Sequence, residues 1–235
     1  MNNTYSRHQE TSVWSLGTDA RSAFITRTYL HLFIAILGFA TIECIFFSTG
    51  IAEKIAGAML GTSWLLVLGG FIVVSWIATH TAHNARSLGV QYLALAGFVF
   101  AESLIFVPLL YIAEKFAEGV IASAALVTLL GFGGLTAIAF VTRKDFSFLG
   151  GLLRWGFIIA LVLIVASLIF GLRLGVFFSV AMIGLAGAAI LYDTSNVLHH
   201  YPEDRYVGAA LQLFASVALM FWYVLQFFLS MASDD

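Results

Sequence analysis

Seven apolar runs, each long enough or nearly long enough to cross a bilayer, dominate this 235-residue chain: residues 28–50, 62–79, 89–113, 119–142, 148–172, 175–198 and 206–231. A helix rises about 1.5 Å per residue, so a hydrocarbon core of about 30 Å takes roughly 20 apolar residues. Lipid offers no partner to backbone N–H and C=O groups, which leaves helices or closed barrels, and runs of this length exceed barrel strands. The fold class expected is an all-α integral membrane protein with seven transmembrane helices. Short connections predict antiparallel neighbours in a single bundle, residues 28–231, after a polar tail of residues 1–27 and before a short acidic end, residues 232–235. The second run is short and the last is dotted with Gln212, Ser216 and Gln226, so six spans plus a re-entrant segment is the alternative.

Composition narrows the function classes. Charged residues make up 10% and apolar residues 61%, whereas soluble domains carry about 25% charge, so little chain remains for a soluble catalytic domain. A formal net charge of -2 with 11 Lys+Arg builds no domain-sized basic surface, so no nucleic-acid partner is expected. The single cysteine, Cys44, excludes an intramolecular disulfide and a cysteine metal cluster; inside an apolar run it is expected to pack as a small hydrophobe. Residues 1–27 contain no apolar h-region, so no cleavable signal is expected.

Lys and Arg counts in the short flanking segments set the expected orientation. With seven spans, Arg7, Arg21, Arg27, Arg86, Arg143, Lys144 and Arg205 share one side, against Lys54, Lys115 and Arg173 on the other. The N-terminal tail is therefore expected in the cytoplasm and the C-terminus opposite. Two local expectations follow. Thr62-Ser63 should cap the second span through a side-chain oxygen, and Gly57-Gly61, Gly171-Gly175, Gly184-Ala188 and the Gly131, Gly133, Gly134 cluster should mark close helix contacts.

Four charges lie inside spans, and each costs about 2.5–3.5 kcal/mol on the insertion scale if ionised at mid-helix. Arg154 and Asp193 are each six residues from the cytoplasmic boundary on sequential helices, roughly 9 Å deep; either they pair, with His83 or Arg86 as a further member, or Arg154 snorkels to the headgroups independently. Glu43 and Glu102 fall at similar depths of about 20 Å in the outer half; as a pair they could carry or sense a proton, or each could be a packing residue. His199-His200 is not a metal site, because adjacent residues do not face one another on a helix. Tyr192-Asp193 matches one half of the intramembrane aspartyl protease signature, but the second half is missing, and no nucleophile elbow, zinc helix or phosphate loop occurs. No enzyme, cofactor or metal is expected.

The stretches from Gly134-Leu135-Thr136 through Arg143-Lys144-Asp145-Phe146-Ser147-Phe148-Leu149-Gly150-Gly151, and Leu191-Tyr192-Asp193-Thr194-Ser195-Asn196 through Tyr201, resemble the transmembrane Bax-inhibitor motif family. That resemblance implies six helices wrapped around a central C-terminal helix. In family members of the calcium-leak type it implies an aspartate dyad on the last two helices that shares a proton; Asp193 maps onto the first member. The second position reads Leu213-Phe214-Ala215-Ser216, so the second carboxylate is absent and Ser216 can offer Asp193 only a hydrogen bond. Ser216 and the Thr194-Ser195-Asn196 run resemble the prokaryotic YccA-like branch, which implies modulation of the membrane AAA protease FtsH at the inner membrane. A polar tail carrying Arg7, Arg21 and Arg27 is what such a protease would grip. The leading expectation is thus a non-enzymatic FtsH modulator; the alternative is a pH-sensitive calcium or cation leak that uses Asp193.

Overall fold

The structure, a computed structural model, describes residues 12–15, 17–85, 87–172 and 174–232. Arg7, Arg86 and Arg173 lie outside the described residues. Eight helices follow in order: α1 (Thr18–Ser48), α2 (Ile51–Leu60), α3 (Trp64–Asn84), α4 (Leu88–Phe116), α5 (Val120–Thr142), α6 (Leu149–Phe170), α7 (Gly175–His199) and α8 (Tyr206–Ala232). All except α2 are long and apolar enough to span a membrane, so the seven runs become seven spanning helices.

The residues between the first two spans form α2 instead of a plain loop. Gly50, at φ 73°, turns the chain in the left-handed region that glycine adopts without a Cβ clash. Ala52 and Ala56, one turn apart, then bury against Val107 of α4, with Tyr111 beside them, while Glu53 and Lys54 stay exposed. Tyr111 donates to Glu53 Oε1 at 3.1 Å, tying α2 to α4. The expected cap at Thr62-Ser63 does not form: Ser63 is at the N-cap without a side-chain bond, and Thr62 Oγ1 donates back to Ala58 O at 2.8 Å, closing α2.

Burial concentrates in α4 and α8, where 56% and 50% of the most apolar window is buried, against 11–28% in the other spans. These two helices also carry buried polar side chains, Gln91, Glu102 and Ser103 on α4 and Ser216 on α8, which lipid would penalise. α8 packs against α1, α3, α4, α5 and α7; α6 packs mainly on α7. Many residues on the outer faces of α3 and α6 are exposed, including Leu66, Val73, Trp155 and Ile159, as lipid-facing positions should be. Cys44 belongs to this class: it is exposed on α1 and does not pack inside.

The second half of the polar N-terminal stretch is structured. Val13 is fully buried, its N–H donates to Tyr201 O at 2.9 Å, and Ser12 forms an antiparallel bridge with Pro202. α1 begins at Thr18, ten residues before the first apolar run.

Candidate functional site

Between α3, α4, α6, α7 and α8 lies a cavity of about 1000 Å³ that reaches from Arg154 and Thr79 at one end to Leu172 and Ser230 at the other. Its walls on α3 and α6 are mostly apolar, with Phe71, Leu153 and Phe157 among them. Its polar side is α8, where Gln212, Ser216, Tyr223, Gln226 and Ser230 all line it. Their spacing of three, four or seven residues puts them on one helix face. The 18 helical steps from Gln212 to Ser230 cover about 27 Å, close to the thickness of the hydrocarbon core.

Asp193 enters this cavity from α7 and is only 2% exposed. Ser216 Oγ of α8 donates to its Oδ2 at 2.5 Å, and Gln212, one turn earlier, also reaches the carboxyl group. A buried carboxyl group thus obtains its donors from the polar face of α8. Gln212 was visible in the sequence only as an interruption of the last run; its four-residue offset from Ser216 was the signal that it shares the Asp193 site.

Arg154 lines the same cavity, but it is exposed and forms no ion pair with Asp193 among the described residues. Matched depth put the two residues at one level without fixing their rotation about the helix axes. His83 does not join Asp193 either: its Nε2 pairs with Tyr201 Oη at 2.8 Å and its Nδ1 with Thr79 O at 2.8 Å. Tyr201 sits in the α7–α8 connection, where burial foremost, and then the nearby Asp193 and Tyr192, hold its phenol well above the ordinary range. It links α3 to the turn that follows the Asp193 helix.

Glu43 and Glu102 are both buried at 7% exposure, and they differ in surroundings. Glu102 lines the cavity. Glu43 does not line it, and neither of its oxygens has a hydrogen-bond partner among the described residues. No bond joins the two carboxyl groups. Of the tail arginines, Arg21 lies over the Trp14 ring at 4.8 Å and Arg27 over Tyr206 at 5.7 Å. Among the described residues no group of three or more His, Cys, Asp or Glu is placed to hold a metal.

The loop after α5 supports the Asp193 helix from outside the membrane. Asp145 Oδ1 accepts from Ser147 N at 2.8 Å, Ser195 Oγ accepts from Phe146 N at 2.9 Å, and His200 Nε2 lies 3.5 Å from Asp145 Oδ2. The Ser147 amide foremost, with His200 and His199 nearby, holds the Asp145 carboxyl below its usual range.

A seven-span helical bundle with a polar-sided cavity between its helices and, among the described residues, a single buried aspartate defines a class of multi-pass membrane protein. Residues 21–234 match the family described as "Inhibitor of apoptosis-promoting Bax1", and the chain belongs to that family. An uncharacterised protein of Pseudomonas aeruginosa is 34% identical over 173 residues, 72% of this chain and 76% of that protein. The Escherichia coli K12 protein named "Modulator of FtsH protease YccA" is 29% identical over 98% of this chain and 97% of its own length. Bax inhibitor 1 of Oryza sativa is 29% identical over 72% of this chain and 69% of its own. The named relatives are modulators or inhibitors by name, not enzymes.

Proposed function

We propose that this chain is a non-enzymatic inner-membrane protein that modulates an FtsH-type protease. The observation that carries the reading is the end-to-end similarity to a relative named as such a modulator, which extends over 98% of the chain and so includes most of the polar N-terminal segment. In the proposed arrangement residues 1–11 lie on the cytoplasmic side, anchored by the Val13–Tyr201 hydrogen bond, and offer the protease a polar grip next to a folded bundle. The test is recovery of FtsH with the purified chain and with a variant lacking residues 1–11, together with the turnover of an FtsH membrane substrate in cells that overproduce each. Co-recovery and slowed turnover with the full chain are expected, weakened in the truncated one. Failure to recover FtsH with the full chain, and unchanged substrate turnover, would overturn the reading.

A pH-sensitive cation leak is the second reading, favoured by one observation: the polar face of α8 follows the cavity over about 27 Å, with Asp193 and Glu102 beside it. Liposomes loaded with a calcium-reporting dye test it. Flux that depends on pH and falls in Asp193→Asn supports the leak, and the absence of flux between pH 5 and pH 8 removes it.

A further inference from the structure

A second, smaller cavity lies at the end of the bundle that carries the start of α1, outside the Asp193 site. It has a volume of about 150 Å³, with Arg21, Arg143 and His199 as its cationic or ionisable lining and Trp14, Ile25, Phe140 and Leu198 as the rest. Among the described residues no carboxylate lines it. Among the described residues neither Arg21 nor Arg143 has an ion pair, and the adjacent acid, Asp145, is engaged by the Ser147 amide and His200. His199 Nδ1 donates to Ser195 O at 2.9 Å, which leaves Nε2 for another partner.

The backbone supplies an independent observation. Arg143 ends α5 at φ 50°, the only positive φ at a non-glycine position among the described residues. Glycine takes this conformation without cost and arginine does not, so an arginine held there points to a use for its side chain. Two arginines without an ion pair among the described residues, Arg21 held over the Trp14 ring and Arg143 at the end of α5, line one small cavity, and such guanidinium groups are the donors that recognise a phosphate group. The apolar residues and the interfacial Trp14 add the environment of a membrane boundary, where basic pockets between spanning helices take phospholipid headgroups.

We propose that this cavity is a phosphate-binding site that holds the phosphate of an anionic phospholipid headgroup. Because Arg21 and Trp14 belong to the N-terminal segment, Arg143 to the end of α5 and His199 to the end of α7, the bound phosphate clamps that segment onto the bundle. The site depends neither on protease modulation nor on ion flux.

Native mass spectrometry of the detergent-purified full chain tests it, with equimolar phosphatidylglycerol and phosphatidylcholine of identical acyl chains. Preferential retention of phosphatidylglycerol by at least about tenfold is expected, since loss of a charge-assisted contact set changes affinity on that scale. The double variant Arg21→Gln/Arg143→Gln should lose that preference, while Lys144→Gln, which removes an adjacent charge outside the lining, should keep it. Arg143→Gly relieves the left-handed backbone and removes the guanidinium, so it should unfold at the wild-type temperature or above while binding falls. A parallel thermal-unfolding titration uses inorganic phosphate. A rise that vanishes in the double variant, with no lipid preference, supports the phosphate site and overturns the lipid as its source. The proposal is overturned if neither probe binds, if the double variant or Arg143→Gly retains lipid as the wild type does, or if Lys144→Gln loses the preference equally.

Discussion

At the scale of single residues, the Asp193–Ser216 contact is where removal of one small group should be most visible. Ser216→Ala leaves Oδ2 of a 2% exposed carboxyl group without its close donor, and an unsatisfied buried acceptor costs about 1–3 kcal/mol. Thermal unfolding in detergent should show a clear fall, and Gln226→Ala at the other end of the same helix face should stay within about 0.5 kcal/mol of the wild type. Asp145 offers a pH-dependent counterpart outside the membrane. Its carboxyl titrates below the usual carboxylate range in the folded chain, so the stabilisation is complete above the unfolded value of about 4 and is lost as pH falls through the lower folded value. The group is exposed, so the effect is under about 1 kcal/mol. The melting-temperature difference between wild type and Asp145→Ala should hold from pH 7 to pH 5 and shrink toward pH 3; a difference that persists at pH 3 would remove the charge from its cause. Residue-level legibility was uneven for a physical reason. Burial of Asp193 follows from the cost of charge in lipid, and its Ser216 partner from the family pattern. The Arg154 pairing fails because depth along a span says nothing about rotation around it, and similar depth likewise gives Glu43 and Glu102 no hydrogen bond to one another.

At the scale of helices, glycine spacing proved a poor guide to close packing. A Cβ on Gly57, Gly184, Gly133 or Gly134 would meet nothing within 4 Å, while Gly171 and Gly175 serve left-handed turns. Gly131 faces another helix closely, with Met220 Sδ at 3.3 Å from a built Cβ, whereas at Gly61 the near atom is Gly57 O, 3.1 Å away at the end of its own helix. The closest backbone approach is at Gly208, where a Cβ would lie 2.9 Å from Ala82 O, so α8 and α3 touch main chain to main chain. Gly208→Ala must push the two helices apart. Overpacking of this kind costs about 1–3 kcal/mol, more than the roughly 1 kcal/mol that alanine gains over glycine in helix propensity. Lower thermal stability is expected, and Gly133→Ala, with open space around it, should be neutral or stabilising. An increase in stability for Gly208→Ala would refute the close approach. Gly208 had no second small residue at helical spacing to mark it, because its partner, Ala82, lies on another helix. Likewise α2 was hidden by its charges and its length: Glu53 and Lys54 make residues 51–61 read as a polar connection, and ten residues are too few to span, although Ala52, Ile55 and Ala56 pack on one side.

At the scale of the whole molecule, the scarcity of charge that made seven spans legible also makes orientation testable, since each loop carries so few basic residues. Arg21, Arg27, Arg143, Lys144 and Arg205 all fall on the face where α1, α4, α6 and α8 begin, and Lys54 and Lys115 on the other. Basic residues next to short loops stay in the cytoplasm, so the first face is expected inside. Lys54 on α2 and Lys144 after α5 are both exposed and lie on opposite faces, and the single native cysteine, Cys44, can be removed by Cys44→Ala. In that background Lys54→Cys should react with a membrane-impermeant maleimide on intact spheroplasts, and Lys144→Cys only after permeabilisation. The reverse pattern would put Asp193, Tyr201 and the small basic cavity on the outer side. Equal labelling of both sites in intact cells would mean that both faces lie outside, which an odd number of spans between them cannot produce; α3, α4 and α5 are those spans, so the same pair of cysteines checks the span count together with its direction.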